Sequence, residues 1–145
     1  MKRQERYQDT EYFHYQNINP KNRITGDCVV RALALGLDQT YMETYKELFE
    51  LSLATGYMLN DKKNWQKYLE KKGWTKMKQP RKWDNTKYTA QEFIDYILPN
   101  IYTFYNVISK VGSHHVTCIS KGGQVCDIWD CSYEKIGNYW IKEAK

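Results

Sequence analysis

Hydrophobic positions in the first hundred residues recur at helical spacing. The almost continuously apolar run CVVRALALG, which starts at Cys28, predicts a buried helix that ends at Gly36. Apolar residues recur at the same spacing after Thr40, Asn60 and Thr89, which are residue types that cap helix N-termini. The first part of the chain is therefore predicted to form several helices, of which the one starting at Cys28 is the most buried.

The pattern changes after residue 100, where β-branched and aromatic residues become frequent. The segments IYTFYNVI, HHVTCIS, QVCDIWD and YEKIGNYWI predict three or four antiparallel strands, and a short strand is predicted at 74–77. Helices followed by strands indicate an α+β domain, with N-terminal helices packed on a C-terminal antiparallel sheet. A length of 145 residues suits one domain, 1–145, in which residues 1–21 are predicted to be a mobile N-terminal arm.

Composition narrows the class of protein. Hydrophobic residues make up 41% of the chain, enough for a core, and the net charge of +5 comes from scattered lysines. Nucleic-acid binding is not favoured, because no recognised motif accompanies this mild charge. No apolar run has the length of a signal segment or a membrane span, so a cytoplasmic protein without a membrane partner is expected. The four cysteines are then expected to be thiols, metal ligands or a nucleophile.

Cys28 stands in the first turn of the predicted apolar helix. The helix N-terminus lowers the pKa of a thiol at this position, and the backbone N–H groups there can bind a developing oxyanion. These properties suit a catalytic nucleophile. A small thiol at the start of a core helix is also a common structural choice, so the position of Cys28 does not by itself decide between the two roles.

A predicted hairpin supplies a partner for that nucleophile. The dipeptide Gly122-Gly123 is typical of a two-residue turn, which sets His115 directly opposite Asp130. Opposed side chains lie on the same face of a sheet, so this carboxylate can accept a hydrogen bond from the imidazole. The same register places Asp127 on the other face. A three- or four-residue loop would change these pairs.

Two other interpretations apply to the hairpin. The pair of His115 and Asp130 can be a structural hydrogen bond in a polar sheet face. Two histidines and three cysteines between residues 114 and 131 also raise the question of a zinc site. No CxxC pair is present, and His115 and Cys118 lie three apart on a strand and so point to opposite faces. A metal site is therefore not expected.

Three short motifs carry a resemblance to a known family. They are GDC at the start of an apolar helix, HV at the start of a strand and WD at the end of a hairpin. Together they resemble the papain-like superfamily of cysteine peptidases, and most closely one of its compact branches, over residues 22–130. The resemblance implies that Cys28 is the nucleophile, His115 the general base and Asp130 the acid that orients the histidine.

The chain departs from this family before and after the cysteine. Such enzymes usually carry a glutamine six residues before the nucleophile, as a donor to the oxyanion. This chain has Asn22 at that offset, with Gln16 and Asn19 further from the cysteine. The resemblance therefore assigns the oxyanion role to Asn22, whose side chain is shorter. Val29 replaces the small residue that often follows the cysteine.

The function implied is that of a cysteine-dependent hydrolase or acyl-transferase. It would act on an amide, peptide or isopeptide bond of a protein or peptide substrate and would need no cofactor. Endopeptidase, isopeptidase, deamidase and transglutaminase activities all use this set of residues, and they stay open. The alternative is a non-catalytic protein-binding module on the same fold, for example a phage or mobile-element inhibitor of a host protein, in which the triad has become structural.

Overall fold

A computed structural model describes residues 2–143 of the chain. The α-helices are α1 (Arg3–Arg6), α2 (Cys28–Leu37), α3 (Tyr41–Thr55), α4 (Lys62–Lys71) and α5 (Ala90–Tyr96), and a 3-10 helix spans Leu98–Asn100. The strands are β1 (Phe13–Tyr15), β2 (Thr75–Met77), β3 (Val107–Val111), β4 (His115–Ile119), β5 (Val125–Asp127) and β6 (Ile136–Ile141). The predicted α+β class and the predicted short strand near Trp74 are confirmed.

A six-stranded sheet forms the centre of the fold. Its strand order is β1-β5-β4-β3-β6-β2. Strands β3 to β6 form the predicted antiparallel part, and β2 extends it at the β6 edge. At the other edge β1 pairs with β5 in parallel, with Phe13 opposite Val125. The N-terminal segment predicted to be an arm therefore contributes an edge strand, whose Phe13 side chain is fully buried.

Two hydrophobic clusters cover the two faces of this sheet. One joins α2, α3 and α4 to Ile108, Val116 and Trp140, and its aromatic centre is an edge contact between Trp65 and Trp140 at 4.9 Å between ring centroids. The other joins α5 and β1 to the opposite face, with members that include Phe13, Phe93, Val107, Val111, Ile119, Val125 and Tyr139. Burial of both faces makes the sheet a rigid platform for the side chains at its strand ends.

Helix α2 packs directly on the sheet. It continues past the predicted end at Gly36 and is capped by Asp38, whose φ of 56° is left-handed. Gly36 lies inside the helix, where an added Cβ would collide with the side chain of Ile108 on β3. The glycine therefore permits close approach of α2 to β3 and is not a cap, so the predicted helix end was wrong.

The predicted N-terminal caps agree with the structure at two of three positions. Thr40 accepts a hydrogen bond from the backbone N–H of Glu43 at 3.0 Å, and Thr89 forms a complete capping box with Glu92. The predicted cap Asn60 was wrong by one residue, because Asp61 caps α4 by accepting from the backbone N–H of Lys63. Among residues 2–143, no helix combines the length and the apolar character needed to cross a membrane.

Candidate active site

Cys28 is the first residue of α2 and is half-buried. Its thiol therefore lies at the positive end of a ten-residue helix. The preceding residue, Asp27, is buried and does not cap the helix with its side chain. Its carboxylate instead accepts hydrogen bonds from Arg31, Tyr41 and Asn19. The first turn of α2 is thus held by a network behind the helix, and the N-terminal backbone at Cys28 is not blocked by a cap.

The hairpin register differs from the predicted one by one residue. Cys118 is opposite Cys126 and Ile119 is opposite Val125, and the next pair toward the turn, Ser120 and Gln124, is joined by a backbone hydrogen bond of 2.8 Å. The loop therefore has three residues, 121–123, and its last residue, Gly123, has the left-handed φ of 93° that such a loop needs. The sequence does not distinguish this loop from the predicted two-residue turn, because both accept a Gly-Gly pair.

This one-residue shift changes which of the two aspartates contacts His115. Asp127 now lies opposite Thr117, on the same face as His115, and accepts a hydrogen bond from the Thr117 hydroxyl at 2.7 Å. Its Oδ2 atom lies 2.6 Å from Nε2 of His115. The prediction that Asp130 is the partner of His115 was therefore wrong. Asp130 instead accepts hydrogen bonds from the backbone N–H and the hydroxyl of Ser132, in the turn after β5.

The electrostatics of Cys28 and His115 favour an ion pair. Burial tends to raise the pKa of Cys28, but hydrogen bonds from His115 and the Val116 backbone N–H outweigh it and lower that pKa. Burial tends to lower the pKa of His115, but hydrogen bonds with Asp127, Cys131 and Cys28 raise it to about 11. The Asp127 pKa is lowered despite burial, because it faces His115 and Arg31. Both shifts favour the charged forms, a thiolate beside an imidazolium, over those of an ordinary thiol and imidazole.

A buried arginine connects this site to the start of α2. Arg31 is 4% exposed and bridges two carboxylates, with Nε 2.8 Å from Oδ1 of Asp27 and one terminal nitrogen 2.8 Å from Oδ1 of Asp127. The backbone N–H of Ile128 donates to the same Asp127 oxygen at 2.7 Å. Sequence reasoning missed Arg31 entirely. An arginine inside an otherwise apolar helix run was the available signal, since such a residue must find a buried partner.

The oxyanion role of Asn22 stays a prediction. Asn22 is exposed, has a left-handed φ of 52°, and accepts a hydrogen bond of 3.4 Å from the Asn17 amide. Its own side-chain NH₂ has no hydrogen-bond partner within residues 2–143 and is available as a donor. The amide of Asn19, in contrast, is buried and donates to Asp27 at 3.1 Å. Of the two asparagines, Asn22 is therefore the one whose amide is free to donate, although it is not among the residues that line the space beside Cys28.

A groove of about 290 Å³ lies beside Cys28 and His115. It runs between the start of α4 and the turn that joins β3 to β4, and its lining includes Asn60, Trp65 and His114. The groove gives the thiol access from solvent and offers space for an extended segment of substrate. The other three cysteines differ from Cys28 in their pKa, because burial raises the pKa of Cys118, Cys126 and Cys131.

Three groups of the site could in principle hold a metal ion. Ligand atoms of His115, Asp127 and Cys131 lie within 4.8 Å of one another. However, Nε2 of His115 and Oδ2 of Asp127 are only 2.6 Å apart. Bond lengths of about 2.0 Å would separate two tetrahedral zinc ligands by about 3.3 Å. The spacing is that of a shared proton, and a metal would have to separate this pair.

No protein-family model, curated protein or solved structure matches this chain. Support for a function therefore comes from the site itself. Its defining feature is a cysteine at a helix start that shares a groove with a histidine, whose imidazole is hydrogen-bonded to a buried aspartate.

Proposed function

We propose that the protein is a cysteine-dependent hydrolase or acyl-transferase, in which Cys28 is the nucleophile, His115 the acid–base and Asp127 the orienting carboxylate. The observation that carries this proposal is that Cys28, at the start of α2, lines the same groove as His115, whose Nε2 lies 2.6 Å from Oδ2 of the buried Asp127. The lowered thiol pKa and the raised imidazole pKa agree with this arrangement. Structural thiols rarely combine half-exposure, a groove and an imidazolium partner. A papain-like architecture is part of the proposal, because the chain order of cysteine, histidine and aspartate is that of the resemblance.

The proposed reaction assigns one role to each of these groups. The Cys28 thiolate adds to the carbonyl carbon of an amide, and the carbonyl π-electron pair moves to oxygen to give an oxyanion. Backbone N–H of Cys28 and the free amide of Asn22 are the donors proposed for that oxyanion. The imidazolium of His115 then donates its proton to the amide nitrogen, the C–N bond breaks, and the amine leaves behind a thioester.

The second half of the reaction reverses the role of His115. The neutral imidazole removes a proton from water, or from an acceptor amine, as that nucleophile adds to the thioester carbon. The C–S bond breaks, and the products are an acid or a new amide and the thiolate. Asp127 keeps the Nε2–H oriented throughout, which leaves Nδ1 to exchange the proton. Water as acceptor gives a hydrolase, and an amine gives a transferase.

Competitive alkylation tests the proposal without knowledge of the substrate. We expect iodoacetamide to label Cys28 at pH 7 at least about tenfold faster than Cys126, which is similarly half-buried but whose pKa burial raises to about 11. The modified cysteines are quantified by peptide mass spectrometry over time. The Cys28→Ala variant should fold, lose the fast phase and have no hydrolytic activity. Equal rates at the two cysteines, or turnover by Cys28→Ala, would refute the enzyme assignment.

A second candidate function is favoured by one observation on α3. Four apolar side chains, Met42, Tyr45, Phe49 and Leu53, follow one face of this helix and are between 43% and 71% exposed. Such a stripe suits a protein-binding module, which was the alternative drawn from the sequence. An inert Cys28 in the alkylation experiment, together with partner binding that is lost in Phe49→Glu, would favour this alternative. The electrostatics of Cys28 and His115 favour the enzyme.

A further inference from the structure

The groove beside Cys28 has a strongly one-sided charge. The side chains that line it include Lys62, Lys110, His114 and His115, and no aspartate or glutamate is among them. Lys62 begins α4 on one wall, and Lys110 lies near the end of β3 on the other. Two cations from separate elements therefore face the same space that gives access to the thiol.

Both lysines are free of partners within the described chain. Neither Lys62 nor Lys110 forms an ion pair with a carboxylate of residues 2–143. The acidic neighbour of Lys62, Asp61, is occupied as the cap of α4, where it accepts from the Lys63 backbone N–H at 2.8 Å. The charges of these two lysines are thus left without an ion-pair partner among residues 2–143.

Two lysines outside the groove do have a carboxylate partner. Lys72 is paired with Glu47 at 3.0 Å, and Lys82 is paired with Glu92. The groove also lies at the N-terminal ends of α2 and α4, whose dipoles add to its positive potential. A partly enclosed cleft lined by one sign of charge concentrates ligands of the opposite sign.

We propose that the substrate of Cys28 is an acidic peptide, with an aspartate or glutamate side chain next to the bond that is attacked. The inference rests on the proposed function for the role of Cys28, and adds the substrate class. Lys62 and Lys110 bind the substrate carboxylate from the two walls and place the adjacent carbonyl at the thiolate.

Two alkylating agents of almost equal size test this charge. The Cys28 thiolate displaces iodide from either iodoacetate or iodoacetamide and forms a thioether. Only iodoacetate carries a carboxylate. The measured quantity is the rate of Cys28 labelling by iodoacetate divided by the rate of labelling by iodoacetamide. We expect this ratio to fall about threefold in Lys62→Gln and in Lys110→Gln, and further in the double variant. The fall should diminish in 1 M salt.

Lys67→Gln is the matched control, because Lys67 is an exposed lysine of the same helix that does not line the groove. Its rate ratio should equal that of the unmodified protein. A ratio that is the same in the double variant as in the unmodified protein would overturn the inference. A fall of equal size in Lys67→Gln would also overturn it, because the effect would then come from net charge alone.

Peptidyl vinyl sulfones extend the test to substrate-like probes. Three probes carry Asp, Asn or Lys immediately before the reactive group, and we expect the rates at Cys28 to fall in that order. The order should flatten in the double variant. An order that is absent in the unmodified protein, or preserved in the double variant, would contradict the inference. Failure of Cys28 to react with iodoacetamide would instead refute the proposed function, so the two failures are distinguishable.

Discussion

Nε2 of His115 and Oδ2 of Asp127 lie 2.6 Å apart although the two residues are not directly opposed on their strands. Asp127 is opposite Thr117, and it reaches diagonally along the same sheet face to the imidazole. The Thr117 hydroxyl and His115 both contact the same carboxylate oxygen, while Arg31 and the Ile128 backbone N–H contact the other. Each Asp127 oxygen is thus held by at least two donors, which fixes its orientation toward His115.

Substitution of the two aspartates tests this relationship. Asp127→Asn removes the charge that favours the imidazolium, so the pKa of His115 should fall and the pKa of Cys28 should rise. We expect iodoacetamide labelling of Cys28 at pH 7 to slow by about tenfold or more. Asp130→Asn is the matched control, since its side chain contacts Ser132 in the turn, and its labelling rate should stay within about twofold. If Asp130→Asn slowed labelling more than Asp127→Asn, the result would instead support the two-residue turn and the triad predicted from the sequence.

The pH dependence gives a second measure of the same variants. The Cys28 pKa is lowered from its ordinary value of 9.0, so the labelling rate should reach half its maximum below pH 9. The His115 pKa is raised to about 11, so the imidazolium persists over the alkaline range up to that pH. In Asp127→Asn the midpoint for labelling should move upward, toward that of an ordinary thiol. An unchanged midpoint would show that Asp127 does not act through His115.

Much of the fold follows from local sequence patterns. The choice of the aspartate in the candidate site depends instead on the length of the loop between β4 and β5, which these patterns leave open. Capping residues such as Thr40 and Thr89 act on their own backbone, so the helix starts there are set by neighbouring residues. The edge strand around Phe13 escaped prediction because its pairing with β5 depends on residues more than a hundred positions away. A short strand of this kind has little pattern of its own.

The choice between two aspartates shows where sequence reasoning fails. Cys28 and His115 are predicted from their positions at the starts of a helix and a strand, and in the structure both line the same groove. The prediction of Asp130 assumes a two-residue turn, and one extra loop residue shifts every pair of opposed residues in the hairpin. The buried cation of Arg31 does not correct this count, because Asp27, four residues before it, already supplies one buried carboxylate, and the second contact with Asp127 depends on the fold.

The role of Asn22 can be separated from that of the nucleophile. A peptide aldehyde adds to Cys28 and forms an oxyanion, whereas alkylation by iodoacetamide forms none. Asn22→Ala should therefore weaken aldehyde binding by about 10²-fold and leave the alkylation rate unchanged. Inhibition constants and labelling rates are measured on the same samples. Asn60→Ala is the comparison, because Asn60 lines the groove, and a loss confined to that variant would move the oxyanion role there.

Glu92 predicts how the fold responds to acid. Its hydrogen bond with Lys82, together with those to the Thr89 backbone and side chain, lowers its pKa to about 2. Since the folded-state pKa lies below the unfolded value, the stabilisation is present above about pH 4.5 and is lost as the pH falls toward 2. Glu92→Gln should therefore lower the melting temperature at pH 6 and reduce its change between pH 5 and pH 2.5.

The matched control for Glu92 is Glu43, which holds the same position in the first turn of α3. Its carboxylate has no hydrogen bond to a lysine among residues 2–143. Glu43→Gln should leave the slope of melting temperature against pH as it is in the unmodified protein. Equal slopes in all three proteins would show that the contact between Lys82 and Glu92 contributes nothing to stability in solution.

Arg31 is predicted to position Asp127 as well as to stabilise the fold. Arg31→Met leaves the Asp27 carboxylate buried without its cation, which should reduce the free energy of unfolding by about 3–5 kcal/mol. It also removes one donor from Asp127 and a positive charge that helps to lower the Cys28 pKa, so the labelling midpoint should move to higher pH. Chemical denaturation and the pH profile of labelling measure these two effects separately.

A double variant distinguishes positioning from stability. In Arg31→Met/Asp27→Asn the uncompensated charge of Asp27 is gone, so part of the lost stability should return. Asp127 still lacks its arginine, however, and the labelling midpoint should stay displaced. Arg31→Lys keeps the charge but cannot bridge two carboxylates as a guanidinium does. Its stability and its labelling midpoint should therefore lie between those of Arg31→Met and those of the unmodified protein. If the double variant recovers the labelling profile together with stability, Arg31 supports the fold alone and does not position the catalytic carboxylate.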